Sequence, residues 1–217
     1  MSANDLTYSE KEDIYKNIKN FEFQTEFYSR KNRLDEVASW AVWDPLNLND
    51  TKIIETSINK FKPNFIFVLL NFAGNGDLDF ENPNWTSWKN FHSNSKMDTR
   101  LFNILKHPKY EGSYMTDIIK CVPTPGAREL MQLIRNGEIN MQTQVNTFIN
   151  EIDLLGDNKK ELFLMGHDTE WIYNNYIRGK IKNIIRALYI VHPSPQAIRN
   201  DATFYERIRT ELEINIE

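Results

Sequence analysis

The stretch Asn64-Phe-Ile-Phe-Val-Leu-Leu70 has no polar face when extended. A strand of that kind must be covered on both sides, which places it at the centre of a parallel sheet with helices above and below. Three more apolar runs have strand length: Ser113-Tyr-Met-Thr-Asp-Ile-Ile119 (followed by Pro123 and Pro125), Glu161-Leu-Phe-Leu-Met165 and Leu188-Tyr-Ile-Val191. Helical patterns separate them, over Asp98–Lys106, Ala127–Arg135, Met141–Leu155, from Asp168 or Thr169 as cap to about Arg178, and over Asp201–Ile214. Upstream, Ser9 and Glu12 have capping-box spacing for a helix to about Asn20. Val37–Trp43 alternates like a strand, and a short helix is expected over Asp50–Lys60. Strands alternating with helices predict an α/β protein. The expected form is a three-layer α/β/α sandwich on a central, mainly parallel four-stranded sheet. A single domain over 1–217 is expected, with 1–60 an N-terminal extension packed on a core of 61–217.

Composition narrows the classes. Of the 217 residues 41% are hydrophobic and 26% charged, ordinary for a globular protein. Phe65–Leu70, the longest apolar run, is too short to span a bilayer, and the polar start Met1-Ser-Ala-Asn-Asp-Leu6 has no signal-peptide pattern, so a cytoplasmic, non-membrane protein is expected. Cys121 is the only cysteine, which rules out an intramolecular disulfide and any all-cysteine zinc or iron–sulfur site. The histidines have no ligand spacing. His167 and Asp168 read as capping residues and His107 as a surface one, so no metal and no cofactor is expected. The net charge of −4 speaks against wholesale polyanion binding. Between Trp171 and Asn200, however, Arg178, Lys180, Lys182, Arg186 and Arg199 stand without an acid. That segment reads either as a site for a phosphate-bearing ligand or as a solvated helix face.

In a parallel sheet the ligand crevice lies beyond the carboxyl ends of the strands. Four strand ends are therefore the candidates: Asn71-Phe-Ala-Gly74, Asp117-Ile-Ile-Lys120, Gly166-His-Asp168 and His192-Pro-Ser-Pro195. The last is a titratable side chain in a rigid turn, which serves equally as a site or as an exit turn. The segment from Asn71 to about Lys96 is long for a plain connection, which points to function or mobility.

Together the four ends resemble the uracil-DNA glycosylase superfamily. Leu70-Asn-Phe-Ala-Gly74 is similar to the Ile-Asn-Pro-Gly turn of its mismatch-type members. Met115-Thr-Asp-Ile-Ile-Lys-Cys-Val-Pro123 is similar to the central strand of its iron–sulfur class. Leu164-Met-Gly166 matches its Leu-Gly strand end, and His192-Pro-Ser-Pro195 is identical to its second motif in several branches. The resemblance runs from about Asn64 to Arg199. It implies a monofunctional glycosylase, a monomer, hydrolysing the N-glycosidic bond of uracil or another damaged base in single- or double-stranded DNA. Under that resemblance Asn71 holds the attacking water and His192 donates to the base's O2. Phe72 or Phe91 stacks on the flipped base, with Gly74 in the turn beside it. Ser194 contacts a phosphate, and Ile198 or Arg199 enters the vacated stack.

Asp117 stands where well-known relatives carry a base-reading Asn. Ionised, it would repel uracil's O4 and favour a base offering two donors. Buried and protonated, it could donate to O4 as an amide does. It could also point away and anchor a loop amide. The lone cysteine leaves no iron–sulfur cluster. A non-catalytic nucleic-acid-binding protein on the same fold, and a hydrolase of free nucleosides or nucleotides, stand as alternatives.

Overall fold

The computed structural model describes residues 6–25, 27, 31–71, 86–122, 124 and 126–214. Phe72 and Gly74 lie outside them. Hydrophobic patterning explains most of the architecture. β4 (Lys62–Asn71) is the centre of a sheet, with β5 (Ser113–Ile119) and β6 (Lys160–Met165) parallel to it on either side and β7 (Ile184–Ile190) parallel to β6. Side chains alternate across β4 as the pleat requires: Ile66, Val68 and Leu70 enter one core, Phe67 and Leu69 the other. The first core is filled by α1 (Tyr8–Asn20), α5 (Ala127–Arg135) and α6 (Met141–Leu154), the second by α4 (Lys96–Leu105) and α8 (Asp201–Leu212). The sheet is thus flanked by helices, as the doubly apolar β4 demands.

The sheet has five strands, not four, and is mixed. Its order is β3-β5-β4-β6-β7, and β3 (Ser39–Trp40) runs antiparallel to β5 through Ser39↔Met115 and Trp40↔Tyr114. The strand expected over Val37–Trp43 is thereby cut to two residues. α2 (Leu34–Val37) occupies the segment before it, and the apolar alternation reflects burial in both cores more than extended pairing. Trp40 fills the edge, stacked on Phe61 with ring centroids 3.9 Å apart. A separate short ribbon pairs β1 (Glu22–Phe23) with β2 (Asn32–Arg33).

Other boundaries shift for local reasons. α1 opens at Thr7, not Ser9. The Thr7 side chain accepts from Glu10 N–H while Glu10 accepts from Thr7 N–H, one capping box earlier than Ser9 and Glu12 suggested. The helix expected over Asp50–Lys60 divides into α3 (Lys52–Thr56) and a 3-10 turn, Ile58–Lys60, at Ser57. α7 (His167–Ile172) starts directly after Gly166 without a side-chain cap, then widens into a π-turn, Tyr173–Ile177. Asp168 and Thr169 are therefore not its caps. Thr169 Oγ1 instead donates to Met165 O, 2.9 Å away. Among the described residues no helix is long and apolar enough to cross a membrane.

Candidate functional site

A cleft of about 1060 Å³ opens at the carboxyl ends of β4, β5, β6 and β7, where a parallel sheet concentrates ligand sites. Asn71, Asp117, Gly166 and His192, one from each candidate strand end, line it together with Phe91, Ser194 and Ile198.

His192 follows β7 and is fixed by its own turn. Its Nδ1 accepts the backbone N–H of Ser194 at 3.1 Å. Burial lowers its pKa to about 4, so near neutrality the ring is uncharged. With Nδ1 engaged as acceptor, the remaining proton sits on Nε2 as a donor. The ring leans over β6: a Cβ built at Gly166, whose φ is +94°, would come within 3.4 Å of His192 Cβ. Glycine at 166 is favoured by the positive φ, while the His192 contact is of ordinary van der Waals length. Beneath the turn, Arg100 is 1% exposed and donates to Pro193 O (3.1 Å) and, through Nε, to Asp201 (2.9 Å), while its guanidinium covers the Phe204 ring. It ties α4, the His192 turn and α8 into one unit.

Asp117 lies in β5, 2% exposed. It both lines the cleft and accepts, through Oδ2, from Asn90 Nδ2 at 3.0 Å, so it anchors an amide of the 86–92 segment while standing at the cleft wall. Burial raises its pKa to about 7, against the opposing pull of the Lys120 ammonium. Raised above the unfolded carboxyl value, this pKa makes Asp117 most favourable to folding below about pH 4. Its contribution is lost as pH rises through about 7. Asp117→Asn is expected to gain stability relative to the parent from pH 4 to 7 and to hold a constant difference above; urea titrations across that range measure it. A flat difference would mean that the carboxyl is not held protonated. His192 and His92, lowered to about 4 and about 3, work in the opposite sense in both proteins, so only the difference isolates Asp117.

Asn71 closes β4. Its Nδ2 donates to Thr124 Oγ1 (2.9 Å) and Val122 O (3.3 Å), which fixes the amide against the chain that follows β5. Phe91 is buried with φ +68°, and Trp88 (+65°) and Cys121 (+54°) share the left-handed region. Of the three only Phe91 lines the cleft, and each is held in that region by surrounding contacts. Ser194 Oγ accepts from Gln196 N–H at 3.2 Å, Ile198 packs half-buried against the second core, and Arg199 is exposed.

Asn90 was not foreseen. It is nine-tenths buried and spends both amide hydrogens, one on Asp117 and one on Val37 O at 2.7 Å. The whole 86–92 segment is pinned by the region before β4: Ser39 Oγ donates to Trp88 O (3.0 Å) and Trp43 Nε1 to Phe91 O (3.3 Å). His92 Nε2 meets Trp40 O at 3.3 Å. The only hint in Trp88-Lys-Asn-Phe-His92 was a small amide between aromatics.

The basic segment does not lead into the cleft. Arg178, Lys180 and Lys182 precede β7, at its amino end, roughly 20 Å of strand from His192. Arg186 is engaged by Glu161 and Glu213. The solvated-face reading holds for these residues. The cations that line the cleft are Lys89 and Arg207. Among the described residues no cluster of three or more His, Cys, Asp or Glu could hold a metal. No protein-family model and no curated protein matches the chain.

Proposed function

We propose that the protein hydrolyses the N-glycosidic bond of a damaged or deaminated base in DNA, on the three-layer α/β/α fold of the uracil-DNA glycosylase superfamily. The observation that carries this reading is His192. It is a neutral imidazole with its proton directed to Nε2, in a cleft that also contains Asn71. A water held by Asn71 adds to the sugar's anomeric carbon as the carbon–nitrogen bond breaks and its electron pair stays on the base. The Nε2–H donor stabilises the departing base anion at a carbonyl oxygen, and the water's proton is released as the sugar hydroxyl forms. A neutral donor fits this step, since an imidazolium would hold its proton less selectively for the transition state. Phe91 supplies an apolar wall for the extruded base. Ser194 and Arg199 stand on the turn beside it, where a flanking phosphate would lie.

A hydrolase of free nucleosides is the second reading, favoured by one observation: the basic run lies at the far end of β7 from the cleft. One assay tests both. Among oligonucleotides carrying uracil, hypoxanthine, xanthine, mismatched thymine or an oxidised guanine that keeps its amino group, at least one is expected to yield alkali-labile abasic sites, with free nucleosides left intact. Cleavage of nucleosides alone would move the assignment to the second reading. Salt-sensitive DNA binding without base release would leave a binding protein.

A further inference from the structure

The inner wall of the cleft is rich in acceptors. Asn90 has given one amide hydrogen to Val37 O, a carbonyl that can only accept, and this fixes which end of the amide is nitrogen. Its second hydrogen is on Asp117 Oδ2. What Asn90 has left to offer is its carbonyl oxygen. Asp117 Oδ1 carries no hydrogen bond among the described residues. Asp98, 5% exposed and also lining the cleft, has Oδ1 without a partner as well. His192, which lines the same cleft from the end of β7, presents the opposite character, a single N–H donor.

From this we infer that the cleft selects a base whose edge presents a carbonyl beside two hydrogen donors, with the carbonyl toward His192 and the donors toward Asp117 and Asn90. Guanine has that edge in its carbonyl, ring N–H and amino group. Cytosine acquires it when one proton is shared between its ring nitrogen and Asp117. Uracil does not have it: its second carbonyl would face the Asn90 oxygen and the Asp117 carboxyl. An acceptor placed against acceptors loses a hydrogen bond and leaves buried groups unpaired, and that mismatch is where polar sites discriminate most strongly. The inference rests on the reading that this cleft holds a base, and it names which class of base.

The charges around Asp117 set its state. The Lys120 ammonium pulls toward the carboxylate. Glu151 on α6 and Asp98 on α4 push toward the acid. Lys89 lies along the same cleft wall as Asp98. Selection against uracil should therefore be sharpest where Asp117 is ionised, above about pH 7.

Isocytosine and uracil make the test, since they differ by an amino group in place of one carbonyl on rings of the same size. Calorimetric titration of the full chain at pH 8 is expected to show isocytosine binding at least roughly 10-fold more tightly than uracil. The preference should narrow at pH 6, and Asp117→Asn should weaken isocytosine and strengthen uracil. Equal or tighter uracil binding at pH 8 by the parent protein overturns the inference, as does the absence of binding by either base. If lesions are processed but uracil is preferred, base excision stands and the edge preference falls. If isocytosine is preferred and no lesion is processed, the edge preference stands and base excision falls.

Discussion

Lys120→Ala is expected to remove about 3–5 kcal/mol of folding stability, the usual cost of stripping one partner from a buried ion pair. Lys120 and Glu151 are both fully buried, with Nζ 2.7 Å from Glu151 Oε2. Glu151 Oε1 also accepts from Tyr114 Oη (2.8 Å) and Thr116 Oγ1 (2.7 Å), so the carboxylate is the hub of a small polar network between β5 and α6. Without the ammonium, Glu151 must either hold a charge in an apolar core or take up a proton. The same loss removes the cation that opposes protonation of Asp117. The variant should therefore also shift the Asp117 titration to higher pH. Urea denaturation measures the first effect and carboxyl-resolved NMR the second. Lys120→Met combined with Glu151→Leu should recover much of the stability, because apolar side chains of similar volume leave no charge stranded. A loss below about 1 kcal/mol in Lys120→Ala would show that the pair is not a charged one.

His192→Ala is the second large effect. Under the proposed reaction it should slow base release by about 10²–10³-fold, the usual consequence of losing one preorganised donor at a developing anion. Binding of intact DNA should change far less, because the donor matters most where charge develops. In the parent protein the rate should not fall between pH 8 and 5 on account of this residue, since burial keeps its pKa near 4. Single-turnover rates across that range, for the parent and the variant, check both statements. A variant as fast as the parent would remove His192 from the chemistry.

The strand ends were legible because each depends on local pattern. A doubly apolar run such as Phe65–Leu70 must sit in mid-sheet, so Asn71 and Asp117 were placed by periodicity alone. Ser113–Ile119 and Ala127–Arg135 form with the bounds expected of them. Asn90 was illegible for the complementary reason. Its position is set by Val37 and Asp117, neither near it in sequence, and no spacing in 86–92 encodes those contacts. The same holds for Arg100, whose helical neighbours suggest an ordinary polar position, while its partners Pro193 and Asp201 lie some ninety to a hundred residues on. The basic run left two readings open because charge was counted along the chain. Parallel strands separate the two ends of β7 by their full length, and only one of those ends faces the cleft.

The two clamps described above also fix when the cleft can exist. One wall hangs from residues 35–49 and the other from α8, through Arg100 and Asp201, so the first brace is synthesised well before the second. A nascent chain would carry Trp40 for some seventy residues before its strand partner Tyr114 is available. Arg100, which braces the His192 turn, would lack its Asp201 partner until α8 has docked. Under the proposed function, binding competence would arrive only with α8, so a chain cut just short of Asp201 would retain the strands of its sheet and yet be inert toward a base.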